Sequence, residues 1–201
     1  MSFKPLLRRV AERSAPGRSP SYGETQVLMA LELVSGEGNG RAALGSKLGI
    51  GEGVVRTLIK HLLAEGLVEV STRGVRASKK GERLLTDIHG AILRGIEAPV
   101  TEDIVGGCGY IVLVRGGASR VRLGVEQRDA ALLASAKGAT TITFAGGRAS
   151  IPGMDRSPSK PLVSFLEENV KPEDGDAVIV GTGDTDTEAQ IGAYAAALSL
   201  I

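Results

Sequence analysis

Glu52, Arg56 and Lys60 stand at i, i+4 and i+8 of the segment 51–65, with Gly53 and Thr57 between them. The apolar Val55, Leu58, Ile59, Leu62 and Leu63 repeat at helical spacing and are expected to face a core. A guanidinium and an ammonium held out from a helix whose other face is pinned down can read a duplex. Arg56 can bond the paired acceptors of a guanine, Lys60 a base or a phosphate, and Thr57 a base or the backbone. The plainer alternative is a solvated face, because charges on the outer side of an amphipathic helix are the norm. The elements around this helix decide between the two.

Those elements follow a definite order. A helix is expected after Ser21, with Glu24 three residues on completing a capping box and Val27, Leu28, Leu31 and Val34 forming its stripe. The run Gly36-Glu37-Gly38-Asn39-Gly40 breaks it. A short helix from about Arg41 to Leu48 follows, with Ala42, Leu44 and Leu48 as core positions, and Gly49 supplies the positive φ of a tight turn. The helix 51–65 comes next and ends at Gly66. Leu67 to Ser71 and Val75 to Ser78 then read as a hairpin around Thr72-Arg73-Gly74. Helix, short helix, glycine turn, longer helix and hairpin is the order of a winged helix-turn-helix, which seats its recognition helix in the major groove. In that frame Arg73 and Arg76 on the wing reach phosphates or the minor groove, Lys47 reaches the backbone from the second helix, and Lys79 and Lys80 reach it from beyond the wing. His61 reads as a half-buried packing residue.

Charge is divided along the chain. Residues 1–98 carry 15 Lys and Arg against 10 Asp and Glu, and residues 99–201 carry 9 against 13. A basic half joined to an acidic half suits a nucleic-acid module attached to something else. Residues 1–20, with Lys4, Arg8, Arg9, Arg13 and Arg18, read as a basic arm placed to lie along phosphates; a solvated tail and a short helix packed on a dimer mate are the alternatives. No apolar run approaches the roughly 20 residues of a membrane span, and the basic N-terminus lacks a signal-peptide core, so a cytoplasmic protein is expected. Cys108 is the only cysteine, which excludes an internal disulfide, and with two histidines in the chain a zinc enzyme has little to build on.

A helix opening at Lys79 is expected to run towards Leu93, completing a winged-helix domain over 21–94, with a junction at 95–99 and a second, α/β domain over 99–201. Within that domain Gly109–Val114, Ala139–Phe144 and Ala177–Val180 read as strands, Arg120–Leu123 as a further strand, and 125–137, 162–170 and 187–200 as helices. Gly181, Thr182, Gly183 and Asp184 lie between a strand and the last helix, where open α/β sheets hold their ligands. The segment is neither a Walker loop nor a dinucleotide fingerprint. Its acids suit a hydroxyl- or amine-bearing ligand or a hydrated cation, or else a capping box of Thr185 and Glu188. Arg128, in Glu126-Gln127-Arg128-Asp129, is placed to clamp an anionic ligand or to form a salt bridge. Cys108 reads as a small hydrophobe rather than a redox thiol. No catalytic set, metal cluster or cofactor motif is found, and the second half has no histidine to serve as a base.

The stretch Glu126-Gln127-Arg128-Asp129-Ala130-Ala131, continuing to Lys137-Gly138-Ala139-Thr140-Thr141, resembles the second domain of an uncharacterised archaeal family. The ending Gly175-Asp176-Ala177-Val178-Ile179-Val180-Gly181, with Glu188-Ala189 and Ala195-Ala196-Ala197-Leu198, is similar to it too. That resemblance implies a winged helix followed by an α/β domain of unknown function, and an archaeal source; it supplies no ligand. The winged-helix part also resembles regulators of the multiple-antibiotic-resistance type. The expectation is an α+β protein that regulates transcription by binding double-stranded DNA as a homodimer, its second domain sensing a small-molecule effector, dimerising, or both. The alternatives are an enzyme acting on a metabolite or nucleotide with a winged-helix head, and a winged-helix module for protein contacts.

Overall fold

The computed structural model describes residues 3–12, 21–72, 74–154 and 156–201. The fold is α+β, and the chain divides into two compact units between His89 and Gly90. The first contains α1 (Lys4–Ala11), α2 (Glu24–Val34), α3 (Arg41–Leu48), α4 (Glu52–Ala64), β1 (Val68–Ser71) and β2 (Gly74–Ala77). Helix α5 (Lys79–Ala91) carries the chain across the division. This is the expected helix, short helix, helix and hairpin.

Three local expectations are corrected. The first half of the basic arm is helix α1, whose Leu7 and Val10 are fully buried as it packs on α2 and α4. The rest of that arm, 13–20, lies outside the described residues. Helix α2 is capped by Gly23, whose amide donates to Gln26 Oε1 at 2.8 Å, so Gln26 rather than Glu24 makes the returning bond. The segment between α2 and α3 is also more than a breaker. Asn39 exchanges both backbone hydrogen bonds with Val75, at 2.8 and 3.0 Å, and so extends the wing by one bridge. A Cβ on Gly38 would lie 2.6 Å from the Val75 carbonyl oxygen, which is why glycine stands there.

The second unit is a five-stranded sheet with helices on both faces. Its elements are β3 (Ile92–Glu97), β4 (Cys108–Val114), a 3-10 turn (Gly117–Arg120), α6 (Val125–Leu133), β5 (Gly138–Ala145), β6 (Arg148–Ser150), α7 (Lys160–Asn169), β7 (Ala177–Gly183) and α8 (Asp186–Ser199). The strand order is β3-β4-β7-β5-β6 and every neighbouring pair is antiparallel. The helix expected to reach Leu93 stops at Ala91, because Ile92–Glu97 pairs with β4 as an edge strand, with a register shift beside Gly95. The junction expected at 95–99 therefore falls later than the observed division. The strand expected at Arg120–Leu123 is instead the end of the 3-10 turn and the bend after it.

Strand alternation sorts the two faces. Ile111 and Leu113 of β4, Val178 and Val180 of β7, and Ile142 and Phe144 of β5 pack with Leu162 and Leu166 of α7. The intervening residues face α6 and α8. There β7 ends in a small-residue track: a Cβ on Gly181 would lie 2.3 Å from both the Ala189 oxygen and the Ala193 nitrogen of α8. Buried Ala189, Ala193, Ala196 and Ala197 complete the contact from the helix side. Backbone therefore lies close against backbone, an approach that leaves no room for a methyl group.

Asp176 closes the loops at the other end of β7. Its carboxylate accepts from Arg115 Nη1 at 2.7 Å, Gly116 N at 2.9 Å and Glu173 N at 3.0 Å. Burial pushes the carboxyl up, but the Glu173 and Gly116 amides and the Arg115 guanidinium together hold it below the ordinary carboxylate range.

Two stability predictions follow from this packing. Gly181→Ala should destabilise the chain by about 1–3 kcal/mol through overpacking, read as a lower urea midpoint. Asp176→Asn should cost about 1–2 kcal/mol at neutral pH. A depressed carboxyl stabilises above its unfolded pKa and loses that contribution as pH falls through the folded one. The gap between Asp176→Asn and the parent should therefore close on acidification below about pH 4, and a gap constant across that range would contradict the assignment.

Candidate nucleic-acid interface

The α3–α4 turn aims the expected reading helix. Gly49 adopts φ 64°, and the Ile50 amide returns to the Gly45 carbonyl at 3.1 Å. A Cβ on Gly45 would press on the Ile50 oxygen at 3.1 Å, so a small residue lets the chain fold back there. Gly51 caps α4 through its carbonyl, which accepts from Val54 and Val55. At the other end Gly66, at φ 67°, lets the Leu67 amide reach the Leu62 carbonyl at 2.9 Å and stops the helix.

Val55, Leu58, Ile59 and Leu62 are buried, so Gly53, Arg56, Thr57 and Lys60 face solvent. Leu63, expected in the core, is 42% exposed at the end of that outer face, and Ala42 of α3 is likewise exposed. Arg56 leans on Glu52 at 3.3 Å, with side chains 69% and 72% exposed. Such an i,i+4 pair contributes about 0.3–0.5 kcal/mol and is easily exchanged for a base or phosphate. The Thr57 hydroxyl donates to the Gly53 carbonyl at 3.1 Å. Lys47 is exposed on α3 and Lys79 at the start of α5.

On the wing, Arg76 forms a two-nitrogen contact with Glu69, at 2.8 and 3.2 Å. Arg73 lies outside the described residues. Lys80 turns to the Glu65 carbonyl at 2.7 Å instead of standing free. A recess of about 680 Å³ along the wing has Glu37 and Glu69 beside Arg76 in its lining, a poor lining for phosphate. The sequence reading passed over Arg41, exposed at the first position of α3. A signal for it was present: a cation in a first helical turn that holds no acid opposes the helix dipole.

His61, on the buried side of α4, is 8% exposed. Its Nδ1 lies 2.5 Å from the Tyr22 hydroxyl, which ties α4 to the residue preceding the α2 cap. Burial pushes the Tyr22 phenol up to about 12.

The polar residues singled out in the second half lie in a different setting. Gly181–Asp184, expected as a ligand position between a strand and the last helix, does lie where β7 ends before α8, and β7 is antiparallel to both neighbours. Gly181 and Gly183 are pressed against α8, and Thr182 is buried with its hydroxyl 3.4 Å from the Gly138 carbonyl. Asp184 is exposed and pairs with Lys137 at 2.8 Å, and that carboxylate raises the Lys137 pKa. Thr185 caps α8 by accepting from the Glu188 amide, while Glu188 returns to the Asp184 amide rather than to Thr185. Cys108, half-buried, lies 3.6 Å from the Asp184 carbonyl oxygen. Asp186, burial and the nearby Asp184 and Glu188 keep its thiol above the ordinary range, the reverse of an activated cysteine. Arg128 is exposed and lies 3.5 Å from Asp129. Among the described residues no group of histidine, cysteine and acidic side chains could hold a metal ion, and no helix is long and apolar enough to cross a membrane.

Residues 25–92 match the family model of the CggR N-terminal DNA binding domain, and residues 105–200 match a domain of unknown function, DUF4443. A DNA-binding domain followed by a domain of unknown function is the organisation that the sequence resemblance implied. Over 90% of the chain, the fold is similar to the hypothetical protein PH0730 from Pyrococcus horikoshii OT3, at 26% identity, with a TM-score of 0.74 and 93% of that protein covered. No curated protein gives a match.

The Tyr22–His61 contact yields a prediction separate from binding. Tyr22→Phe should lower stability by about 0.5–1.5 kcal/mol and leave the exposed face of α4 unchanged. Equal urea midpoints for the two proteins would show that the contact does nothing for the fold.

Proposed function

We propose that the protein is a transcription regulator that binds double-stranded DNA as a homodimer, its second unit serving to join the two copies. The observation that carries the reading is the outer face of α4, where Arg56, Thr57 and Lys60 stand exposed within a segment that matches a DNA-binding domain. In this reading α4 enters the major groove, with Arg56 on a guanine and Lys60 on a base or phosphate. Lys47 and Arg41 of α3, Arg73 and Arg76 of the wing, and Lys79 bind the backbone and set register. The weak pairs of Arg56 with Glu52 and of Arg76 with Glu69 hold these cations until DNA replaces the carboxylates. The close packing of α8 on Gly181 and Gly183 favours placing any small-molecule effector of the second unit elsewhere.

The test is selection of sheared genomic DNA by the purified protein at roughly 200 mM salt, where non-specific phosphate binding fades. One or a few discrete sequences should be recovered. Arg56→Ala should weaken those sites by about 1–3 kcal/mol and relax one base position. Arg76→Ala should weaken all sequences alike and flatten the salt dependence. Recovery of nothing, or of all sequences equally, would overturn the reading.

A further inference from the structure

Helix α1 packs on α2 and α4, and between it and α5 lies a recess of about 420 Å³. That volume falls within the roughly 300–1,000 Å³ of small-molecule sites. Its floor is apolar, made by Phe3, Pro5 and Leu6 at the start of α1 and by Leu84 of α5. The rest of the lining is charged: Arg9, Lys80, Arg83 and Asp87. Lys80, Arg83, Leu84 and Asp87 stand at i, i+3, i+4 and i+7 of α5, so one helical face supplies both the floor and the charges beside it. The lining runs from Phe3 to Arg9 on one helix and from Lys80 to Asp87 on the other, about 10 Å in each case. The recess is therefore a trough, which suits a chain better than a compact body. The DNA contacts proposed above use none of these side chains.

The charges narrow the ligand. Arg9 pairs with Glu65 at 3.3 Å, and Lys80 donates to the Glu65 carbonyl at 2.7 Å, so both cations lie at the end of the trough beside α4. Arg83, exposed on α5, makes no hydrogen bond or ion pair among the described residues. Its planar fork suits a carboxylate, which accepts two parallel bonds from a guanidinium. Asp87 and Glu65 balance two of the three cations, which leaves one positive charge for a ligand. One charge matches a carboxylate and falls short of a phosphate group near its dianionic state. The floor adds a second requirement. An anion without an apolar body leaves Phe3, Leu6 and Leu84 uncovered, and an apolar body without an anion leaves the guanidinium unmatched.

We propose that the α1–α5 trough binds a small aliphatic carboxylic acid, its carboxylate on Arg83 and its chain over Phe3, Leu6 and Leu84. The site also bears on α4. Glu65 is the C-cap of that helix, and two cations of the trough hold it. The Arg9 side chain is 63% exposed and can turn from Glu65 to an incoming carboxylate. The acid thus competes for contacts that fix the end of α4. Bound acid should weaken DNA binding, and DNA should weaken acid binding by the same factor. This coupling rests on the DNA-binding reading above, whereas the site itself does not.

Isothermal titration of the full chain with decanoate, below its micelle concentration, tests the site. Decanol and acetate serve as the partial ligands, and genomic DNA selection is repeated with decanoate present. Decanoate should saturate a single site, with decanol and acetate each weaker by about tenfold or more. Arg83→Glu should weaken decanoate by about tenfold or more. Asp87→Asn removes the acid from the lining and should tighten decanoate, a gain that a misfolded variant cannot give. No saturable decanoate binding, equal binding of decanol, or parental binding in Arg83→Glu overturns the site and leaves the DNA reading standing. Decanoate that binds as expected and leaves the selected DNA equally well bound overturns the coupling alone. Failure to select DNA with a parent that binds decanoate overturns the regulator reading and spares the site. Arg83 and Asp87 are both exposed, and matching circular dichroism melts will show that the variants fold.

Discussion

What the first unit offers to a partner depends on the burial of one stripe of α4. Val55, Leu58, Ile59 and Leu62 are each at most 4% exposed, and burying each aliphatic side chain is worth about 1.5–3 kcal/mol. The polar contacts on the other face, Arg56 with Glu52 and Thr57 with the Gly53 carbonyl, are an order of magnitude weaker in sum. The rotation of α4 about its axis is therefore set from the inside. Turning the helix to bury Arg56 or Lys60 would expose the stripe and desolvate a charge. The outer face is presented because the inner one cannot be released, and the Gly45–Gly51 turn and the Asn39–Val75 bridge hold α3 and the wing beside it.

The second unit is governed by a different constraint. Its central strand β7 is covered on both sides, by α7 over Val178 and Val180 and by α8 over Gly181. The α8 side closes through backbone proximity, so glycine and alanine rather than large side chains specify that contact. Two helices on one face must then share the sheet, and α6, lying over β5 and against α8, buries only a narrow side. A nine-residue helix with two buried positions gains little from its own unit. The apolar residues on its outer side add nothing to the stability of a single chain.

Much of this was legible in the chain, and the parts that were not share physical reasons. Helices α3 and α4 and the wing could be read because aliphatic periodicity and glycine punctuation agree over 41–77. Helix α1 was legible only as one alternative for the basic arm, because Leu6, Leu7 and Val10 are interspersed with Lys4, Arg8 and Arg9 and a turn-rich stretch follows. Gly181–Gly183 looked like a ligand loop because glycines after a strand are equally consistent with making room for a ligand and with admitting a helix. Only the position of α8 separates the two, and that position is a tertiary fact. Strand direction was invisible for the same reason: alternating strands and helices suit a parallel sheet and an antiparallel one alike. The exposure of Leu132 and Leu133 on α6 was hidden by composition, since a run of Ala and Leu gives no sign of which leucines are left outside.

The energetics of reading DNA bear on the proposed pairing of two copies. One well-made bidentate base contact discriminates by about 1–3 kcal/mol, whereas specific binding must exceed non-specific binding by roughly 4–10 kcal/mol to find a site among genomic competitors. On α4, Arg56 is the one side chain with bidentate geometry, supported by Thr57 and Lys60. A single head of this kind falls at or below the lower limit, and two heads held as one particle double the discrimination while the second binds at a high effective concentration. With the copies paired as proposed, a two-fold site on DNA would contribute to assembling the pair, and occupancy would rise steeply with protein concentration, because dimer formation and DNA binding would each favour the other.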